Sequence, residues 1–456
     1  MSRFKCLSPI DGDVVFDGAL ADQSTVDAAV LMSMDAQVGW AEMALDQRVS
    51  ILHKAIEHLH AHRQEIGLEI TRQMGRPIRF SPNELDGLKQ RGDAMLSFAT
   101  TALEPHHFDD PDATKWIERQ PLGLIAVLAP WNYPFLTSVN AIIPALAAGN
   151  SVILKHSCQT PLAATRYAEA FQAAGLPEGV FQHLFMDHET TAALVASNHV
   201  DYVAFTGSTN GGRAISAATA GRFIDIGLEL GGKDPAYVRH DADIQLTAEA
   251  IADGAFFNSG QSCCGIERAY VEKTIFDQFC KALVERANAL TLGDPRDPDT
   301  TLGPMVNAKA ADFVRSQIKA SVNSGATAHL ALDENAGSAF LSPQVLTGVS
   351  HEMSIMREET FGPALGVMPV DGDKDALALM NDSDFGLTAS IWTKDNDAAR
   401  SLASKVAAGT VFMNRCDYLD PSLAWTGVKK SGCGWTLSPL GFDRLTRPKS
   451  YYFQSL

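Results

Sequence analysis

The fold is decided by the stretch from Leu122 to Pro134, which reads LGLIAVLAPWNYP. Its first part, through Leu128, is an apolar run between Pro121 and Pro130, and such a run is typical of a strand that is buried on both faces. In open α/β sheets, ligands bind at the carboxyl ends of the strands. The turn that contains Asn132 is therefore predicted to border a binding site. The alternative is an ordinary turn in which Asn132 bonds its own backbone.

Segments on both sides of this stretch alternate between strand and helix patterns. Short runs at 151–155 and 202–205 predict strands, and longer periodic segments predict helices at 161–174, 241–257 and 276–290. The first hundred residues are predicted to be helical, with Thr25 as the cap of a helix that extends through Trp40. Alternating strands and helices indicate an α/β protein with doubly wound parallel sheets. The tail at 448–453 is predicted to be a strand that needs a partner.

The composition excludes several classes of protein. A length of 456 residues favours about three domains, or two large domains with an appendage. A net charge of −17 disfavours nucleic acid as a partner, because polyanions bind basic surfaces. No apolar stretch approaches the roughly 20 residues that span a bilayer, and the first residues lack a signal-peptide core, so a cytoplasmic location is expected. Seven scattered cysteines without CxxC spacing predict neither disulfides nor a metal site.

Two segments carry candidate reacting groups. Cys263 lies in a Gly-flanked polar turn, and a thiolate nucleophile needs solvent access and hydrogen-bond donors. Glu229 precedes two glycines, which expose its carboxylate as a candidate base. A nucleophile with a base predicts covalent catalysis followed by attack of water. The Gly-rich segment 206–212 follows a predicted strand and is typical of a phosphate-binding turn, although alone it fits a structural turn as well.

Six segments occur together in one order, at 130–134, Lys155, 205–209, 229–233, 260–268 and 358–363. This order resembles that of the NAD(P)-dependent aldehyde dehydrogenase family, and the resemblance extends from about Pro9 to the tail. It implies two doubly wound parallel-sheet domains with a small β-flap for oligomerisation. The implied cofactor domain is formed by 1–104 and 122–232, the catalytic domain by 233–426, and the flap by 105–121 and 440–456.

The resemblance also implies the roles of the reacting groups. Cys263 is similar to the nucleophile that attacks the aldehyde carbonyl, and Asn132 to the donor that stabilises the resulting oxyanion. Glu229 is similar to the base that activates water for hydrolysis of the thioester. The expected activity is NAD(P)-dependent oxidation of a small-molecule aldehyde to its acid by a homodimer or homotetramer.

Further positions match those that contact the cofactor in the family. Lys155 and Glu359 correspond to residues that hold ribose hydroxyls. Ser208 corresponds to a pyrophosphate contact, and Gly207 and Gly212 shape the phosphate turn.

The cofactor cleft and its selectivity rest on three more residues. Phe361 is similar to a residue near the nicotinamide ribose, and Trp131 to one that lines the cleft. Cys158 stands where the family often has a Glu that repels a 2′-phosphate, so both NAD and NADP are compatible with the sequence.

Three residues are assigned to the substrate pocket, namely Tyr133, Trp425 and Arg415. Trp425 replaces a smaller aromatic residue and either narrows the pocket or is a compensated packing change. Arg415 would hold the carboxylate of a semialdehyde, and the alternative is a surface arginine paired with Asp417 or Asp420.

Three rival functions share parts of this pattern. An acylating dehydrogenase would pass the thioester to coenzyme A and would not need Glu229. A silent scaffold protein would not need Cys263, Glu229 and Asn132 together. A thiol hydrolase would need a His beside Cys263, and that segment contains none.

Overall fold

The computed structural model describes residues 2–332 and 335–454. Its helices, in chain order, are α1 (Gln23–Glu42), α2 (Leu45–Ala61), α3 (Arg63–Met74), α4 (Asn83–Ala102), α5 (Pro134–Ala147), α6 (Pro161–Ala174), α7 (His188–Ala196), α8 (Thr209–Ala218), α9 (Ile244–Phe256), α10 (Phe276–Asn288), α11 (Ala308–Asn323), α12 (Ser354–Arg357), α13 (Asp373–Asn381) and α14 (Asn396–Ala403). Short 3₁₀ turns cover Phe257–Gly260, Lys429–Ser431 and Pro439–Arg444.

The strands complete the element order. They are β1 (Arg3–Leu7), β2 (Val14–Ala19), β3 (His106–Phe108), β4 (Ala113–Pro121), β5 (Leu124–Ala129), β6 (Ser151–His156), β7 (Phe181–His183), β8 (Tyr202–Thr206), β9 (Asp225–Glu229), β10 (Asp234–Val238), β11 (Ile266–Glu272), β12 (Thr327–Ala328), β13 (Gln344–Thr347), β14 (Ala364–Val370), β15 (Thr388–Trp392), β16 (Thr410–Met413), β17 (Trp425–Thr426), β18 (Gly432–Cys433), β19 (Trp435–Thr436) and β20 (Thr446–Gln454).

The first large sheet has the order β18-β9-β8-β5-β6-β7. Strands β5 to β9 pair in parallel, and only β18 joins antiparallel, through Gly432 opposite Glu229. The chain runs outward from β5 in both directions, so the sheet is doubly wound. In such a sheet the loops after β5 and β8 diverge and leave a crevice for a ligand.

Residues of β5 explain why this strand lies at the centre. Ile125 and Val127 pack into the cluster that includes α2, α4 and α5, whereas Ala126 and Leu128 pack into the cluster on the opposite face. All six residues of the strand are buried. Because successive side chains point to opposite faces, a strand that is covered on both faces must be apolar throughout.

The second large sheet has the order β12-β13-β14-β11-β10-β15-β16, and all neighbours except β12 and β13 pair in parallel. Two further apolar clusters cover its faces. The expected α/β class with two doubly wound sheets is therefore confirmed.

A third sheet of order β20-β4-β3 contains the tail. Strand β20 pairs antiparallel with β4 along its whole length, from Thr446 opposite Pro121 to Gln454 opposite Ala113. Trp116 stacks on Tyr451 across this pair, with ring centroids 4.4 Å apart. The partner that the tail strand needs is thus supplied by the same chain.

Some local predictions were wrong in detail. Asp22, not Thr25, caps α1, because its carboxylate accepts the Thr25 backbone N–H at 2.9 Å. Helix α8 begins at Thr209, where the sequence pattern placed the phosphate turn. Among the described residues, no helix combines the length and apolar character needed to cross a membrane. The cytoplasmic location stays a prediction.

Candidate active site

The site lies where edges of the two large sheets meet. Asn132 and Ser208 follow the carboxyl ends of β5 and β8. Lys155 and Glu229 lie within the carboxyl ends of β6 and β9. From the second sheet, the amino-terminal end of β11 supplies the loop with Cys263. Asn132 joins the two, because its Nδ2 donates to the Gln261 carbonyl at 3.1 Å.

Cys263 lines a cavity of about 310 Å³ together with Glu229. The thiol is partly exposed, whereas the neighbouring Cys264 is buried. The Cys264 thiol donates to Asp417 Oδ1 at 3.1 Å, and burial and the contact with Cys263 raise its pKa. Only the first of the two thiols therefore combines access to the cavity with the solvent exposure that a nucleophile needs.

Glu229 is held at the end of β9 by two hydroxyl groups. Thr206 Oγ1 donates to its Oε2 at 2.9 Å, and Thr436 Oγ1 donates to its Oε1 at 2.5 Å. Burial raises the pKa of Glu229, and the two hydroxyl donors lower it in part. A carboxylate with a raised pKa is a stronger base than a solvated one, which suits proton abstraction near neutral pH. A small second cavity borders the other side of Glu229.

A buried ion pair from the N-terminal helices positions this site. Arg76 pairs with Glu84, and both side chains are nearly inaccessible. Arg76 also donates to the Asn132 carbonyl and to Asn258 Oδ1, the latter at 3.1 Å. Glu84 Oε1 accepts the backbone N–H of Phe135 at 2.7 Å, at the start of α5. The pair therefore connects both sides of the cleft.

The turn after β8 has the form of an anion site. Ser208 caps the ten-residue α8, and its Oγ accepts the Gly211 N–H at 3.1 Å. The N–H of Gly207 donates to the Glu229 carbonyl at 3.0 Å. A side chain on Gly212 would collide with Leu230, 2.7 Å from its added Cβ. Glycine thus allows α8 to pack closely, and its N-terminus is available to a phosphate.

Lys155 and Glu359 supply two polar groups beside this turn. Within residues 2–332 and 335–454, the Lys155 ammonium forms no ion pair, and burial lowers its pKa. Glu359 Oε1 accepts the Gly232 N–H at 3.1 Å. Burial and the nearby Glu267 raise the pKa of Glu359 to about 8. A partly buried cation without a partner and an acceptor with spare capacity fit the ribose hydroxyls of a dinucleotide.

Trp131 and Phe361 meet edge to face, with ring centroids 5.7 Å apart. Phe361 has φ of 50°, and Glu267 Oε1 accepts its N–H at 2.8 Å. This hydrogen bond holds the Phe361 backbone, and the edge of one ring packs against the face of the other. Cys158 lies near Lys155 and is partly exposed. The position beside Lys155 is therefore occupied by a thiol and not by a carboxylate.

Of the three residues assigned to the substrate pocket, Tyr133 and Trp425 line the cavity, whereas Arg415 does not. Arg415 is exposed and lies over the ring of Tyr418, 3.6 Å from its centroid. In the described part of the chain it pairs with neither Asp417 nor Asp420, so the predicted surface ion pair is wrong.

Sequence reasoning missed most of the cavity wall. The residues concerned come from α4, α5, α9 and the loop after β16, and they are Gly87, Gln90, Arg91, Leu136, Thr137, Asn140, Asp253, Asp417, Tyr418 and Leu419. Helical periodicity indicates which face of a helix is apolar, but not which side chains meet a cavity. Thr436, which contacts Glu229, lies outside the six ordered segments that the sequence analysis used.

Comparison with known proteins agrees with this geometry. Residues 1–451 match the family model described as the aldehyde dehydrogenase family. The chain belongs to the aldehyde dehydrogenase family. It is 35% identical to the 2-hydroxymuconic semialdehyde dehydrogenase of Pseudomonas putida, over 94% of this chain and 92% of the relative. It is 34% identical to the NAD(P)+ succinate semialdehyde dehydrogenase Sad of Escherichia coli K12, over 95% and 94%.

Solved structures show the same fold. The NADP-dependent glyceraldehyde-3-phosphate dehydrogenase of Bacillus halodurans C-125, complexed with NADP, superposes with a TM-score of 0.95 at 31% identity, over 99% of this chain and 96% of that chain. An indole-3-acetaldehyde dehydrogenase complexed with NAD+ gives 0.94 at 32% identity, over 99% and 93%. The prediction of an NAD(P)-dependent aldehyde dehydrogenase is confirmed.

The Arg76–Glu84 pair can be tested by replacing Glu84 with Gln. The substitution leaves the buried Arg76 without a counter-charge, so we expect the free energy of unfolding to fall by about 3–5 kcal/mol. Urea unfolding followed by circular dichroism measures this change. Glu57→Gln, which removes an exposed carboxylate paired with Lys89, serves as the control and should leave the midpoint unchanged. Equal midpoints for the two variants would contradict the role of the pair.

Proposed function

We propose that this dehydrogenase oxidises its aldehyde through a thioester on Cys263 that is hydrolysed with Glu229 as general base. The proposal rests on one observation, namely that the Cys263 thiol and the Glu229 carboxylate line the same cavity. Thr206, which immediately precedes the proposed phosphate turn, also lines this cavity. This proximity supports a route in which a nucleophile, a base and a bound dinucleotide act on one substrate.

In the first step, the Cys263 thiolate attacks the aldehyde carbon. A carbon–sulfur bond forms, and the carbonyl π electrons move to the oxygen. Within the described residues, the backbone N–H of Cys263 has no acceptor, and the second N–H of the Asn132 amide is also unengaged. These two donors would hold the oxyanion, and one such donor contributes roughly 3–4 kcal/mol in comparable sites.

When bound, NAD(P)+ would supply the acceptor for the hydride that leaves the aldehyde carbon, while the oxyanion electrons restore the carbonyl and leave a thioester on Cys263. Glu229 then takes a proton from water as the water oxygen attacks the thioester carbon. The carbon–sulfur bond breaks, the acid leaves, and Cys263 is returned as the thiolate. The hydroxyl groups of Thr206 and Thr436 hold the Glu229 carboxylate during this step.

The cofactor would be held by residues from both sheets. Ser208, Gly207 and Gly212 form the phosphate turn, and Lys155 and Glu359 face the ribose groups. Phe361 and Trp131 would enclose the nicotinamide end. Because Cys158 places no negative charge beside Lys155, we propose that both NAD and NADP are accepted, and initial rates at 340 nm with each cofactor measure the preference.

We propose that semialdehydes of dicarboxylic acids are among the substrates. Two of the relatives described above are named for semialdehydes, and the cavity volume of about 310 Å³ accommodates a chain of several carbons. The domain division at 1–104 with 122–232, 233–426, and 105–121 with 440–456 is also a proposal. The separate sheets support it, although β18 returns from beyond residue 426 to the first sheet.

The thioester route predicts a specific defect in Glu229→Gln. The variant should release one burst of NAD(P)H per site and then turn over at least about 10²-fold more slowly, because no base activates the water that hydrolyses the thioester. Stopped-flow absorbance at 340 nm measures both phases. Cys263→Ala is the control and should show neither a burst nor turnover.

The same assay separates the rival functions. Unchanged steady-state turnover in Glu229→Gln would refute the base assignment. Turnover that requires coenzyme A and yields an acyl-coenzyme A would identify an acylating enzyme. Absence of NAD(P)H formation with aliphatic, aromatic and carboxylated aldehydes would identify a silent scaffold.

The pKa of Glu359, about 8, predicts a pH-dependent affinity for the cofactor. The ionised carboxylate accepts ribose hydroxyl donors and attracts the positive nicotinamide ring, so NAD(P)+ should bind more tightly as the pH rises through this value. Below the pKa, the dissociation constant should fall by up to about tenfold per pH unit. Fluorescence titration in the Cys263→Ala background measures it. A Glu359→Gln variant that keeps the same slope would contradict the assignment.

We propose that the flap sheet mediates assembly into a homodimer or homotetramer. Its outer strand β20 exposes Tyr452 and Phe453, and the outer edge of this strand has no pairing partner in the described chain. Tyr452→Asp should lower the sedimenting mass toward that of one chain. Leu246→Asp on α9, which replaces a similarly exposed apolar side chain, is the control. A Tyr452→Asp assembly of unchanged mass would place the interface elsewhere.

A further inference from the structure

One positive charge in the cavity wall has no assigned role. Arg91 of α4 lines the cavity together with Cys263 and is 9% exposed. Its Nη1 donates to the Leu136 carbonyl at 2.6 Å. Across residues 2–332 and 335–454, no carboxylate lies within ion-pair distance of its guanidinium, and no other hydrogen bond uses its remaining N–H groups.

A buried guanidinium without an anionic partner is energetically unfavourable. A guanidinium offers five N–H donors and stays charged in proteins, and burying a charge is unfavourable unless it is paired. Burial lowers the pKa of Arg91, and the nearby Cys264, Glu229 and Cys263 oppose this shift. The other buried arginine of this region, Arg76, has a carboxylate partner in Glu84. Arg91 therefore differs from its neighbour by lacking an anion.

Two acidic residues in the same wall do not fill this need. Asp417 Oδ1 accepts hydrogen bonds from Ser262 at 2.7 Å and from Cys264 at 3.1 Å, on the side of the nucleophile loop. Burial raises the pKa of Asp417, and burial together with the charge of Asp417 raises that of Asp253. In the described residues, neither Asp417 nor Asp253 forms an ion pair with Arg91, although the charge of Arg91 lowers the pKa of Asp417 in part.

We propose that Arg91 binds the carboxylate of the substrate, so that the cavity selects aldehydes with a second, anionic end. The inference rests on the proposed oxidation at Cys263. The aldehyde carbon would lie at Cys263 and the carboxylate at the planar fork of Arg91, which suits two parallel hydrogen bonds. Arg415, the arginine that the sequence indicated for this role, lies outside the cavity.

The competing explanation is a structural clamp. Through the Leu136 carbonyl, Arg91 joins α4 to α5, and its charge would then serve packing alone. A clamp affects all substrates equally, whereas a carboxylate anchor affects only carboxylated ones. The two roles are separated by comparing substrates that differ in the carboxylate alone.

The experiment compares succinate semialdehyde with butanal, which has the same carbon chain without the carboxylate. In Arg91→Gln, kcat/KM for succinate semialdehyde should fall about 10²-fold or more, because one partner of a buried charge pair is lost. For butanal it should change less than about threefold. Arg400→Gln, which replaces an exposed helical arginine of α14 that does not line the cavity, is the matched control and should leave both values unchanged. Equal losses on the two substrates in Arg91→Gln would overturn the proposal in favour of the clamp.

A second measurement needs no variant. Succinate should inhibit butanal oxidation by the wild-type enzyme competitively and at least about tenfold more strongly than butyrate, which lacks the second carboxylate. Equal inhibition by the two acids would overturn the proposal, as would faster oxidation of 4-aminobutanal than of succinate semialdehyde. Failure of the wild type to oxidise any aldehyde would instead refute the proposed function itself. Normal butanal turnover with no preference for succinate semialdehyde would refute only the role of Arg91.

Discussion

The geometry of the cleft depends on the buried ion pair between Arg76 and Glu84. Neither residue belongs to a segment with reacting groups, yet the pair contacts the Asn132 carbonyl, the Asn258 side chain and the first turn of α5. In an interior of low dielectric, each charge is tolerable only because the other is present. The N-terminal helices therefore do more than cover the first sheet, since Arg76 and Glu84 hold Asn132 and the start of α5 close to Asn258, near the loop that contains Cys263.

Much of the fold could be predicted because buried strands and helices have recognisable patterns of apolar residues in the sequence. The run at Leu124–Ala129 is apolar on both faces, and the helix at Pro161–Ala174 begins at a proline and is followed by a glycine, so both patterns match the structure closely. Strand pairing between segments that are distant in sequence has no comparable local pattern. Gly432 and Cys433 add a strand beside β9 from some 200 positions away, and two residues are too few for a periodic pattern.

The candidate site shows the same division. Cys263 and Glu229 were recognisable because each lies on a loop with an unusual composition, and the structure places both on one cavity. Arg91 was not recognisable, because a single arginine on a helix most often points to solvent. Arg415 had the more suggestive position in sequence, but it does not line the cavity, and its guanidinium stacks on the ring of the cavity-lining Tyr418. Which of two arginines lines the cavity is decided by helix packing, and that is not encoded locally.

Helix α4 contributes Gly87, Gln90 and Arg91 to the cavity wall but none of the groups that make or break bonds. Under the two proposals above, the chemistry and the selection of the substrate would be carried by different parts of the chain. A mutational library confined to one face of this helix would sample new specificities while the thiol, the carboxylate and the dinucleotide loops stay intact. Such a division would let enzymes with this fold diverge in substrate preference while their reacting groups stay the same.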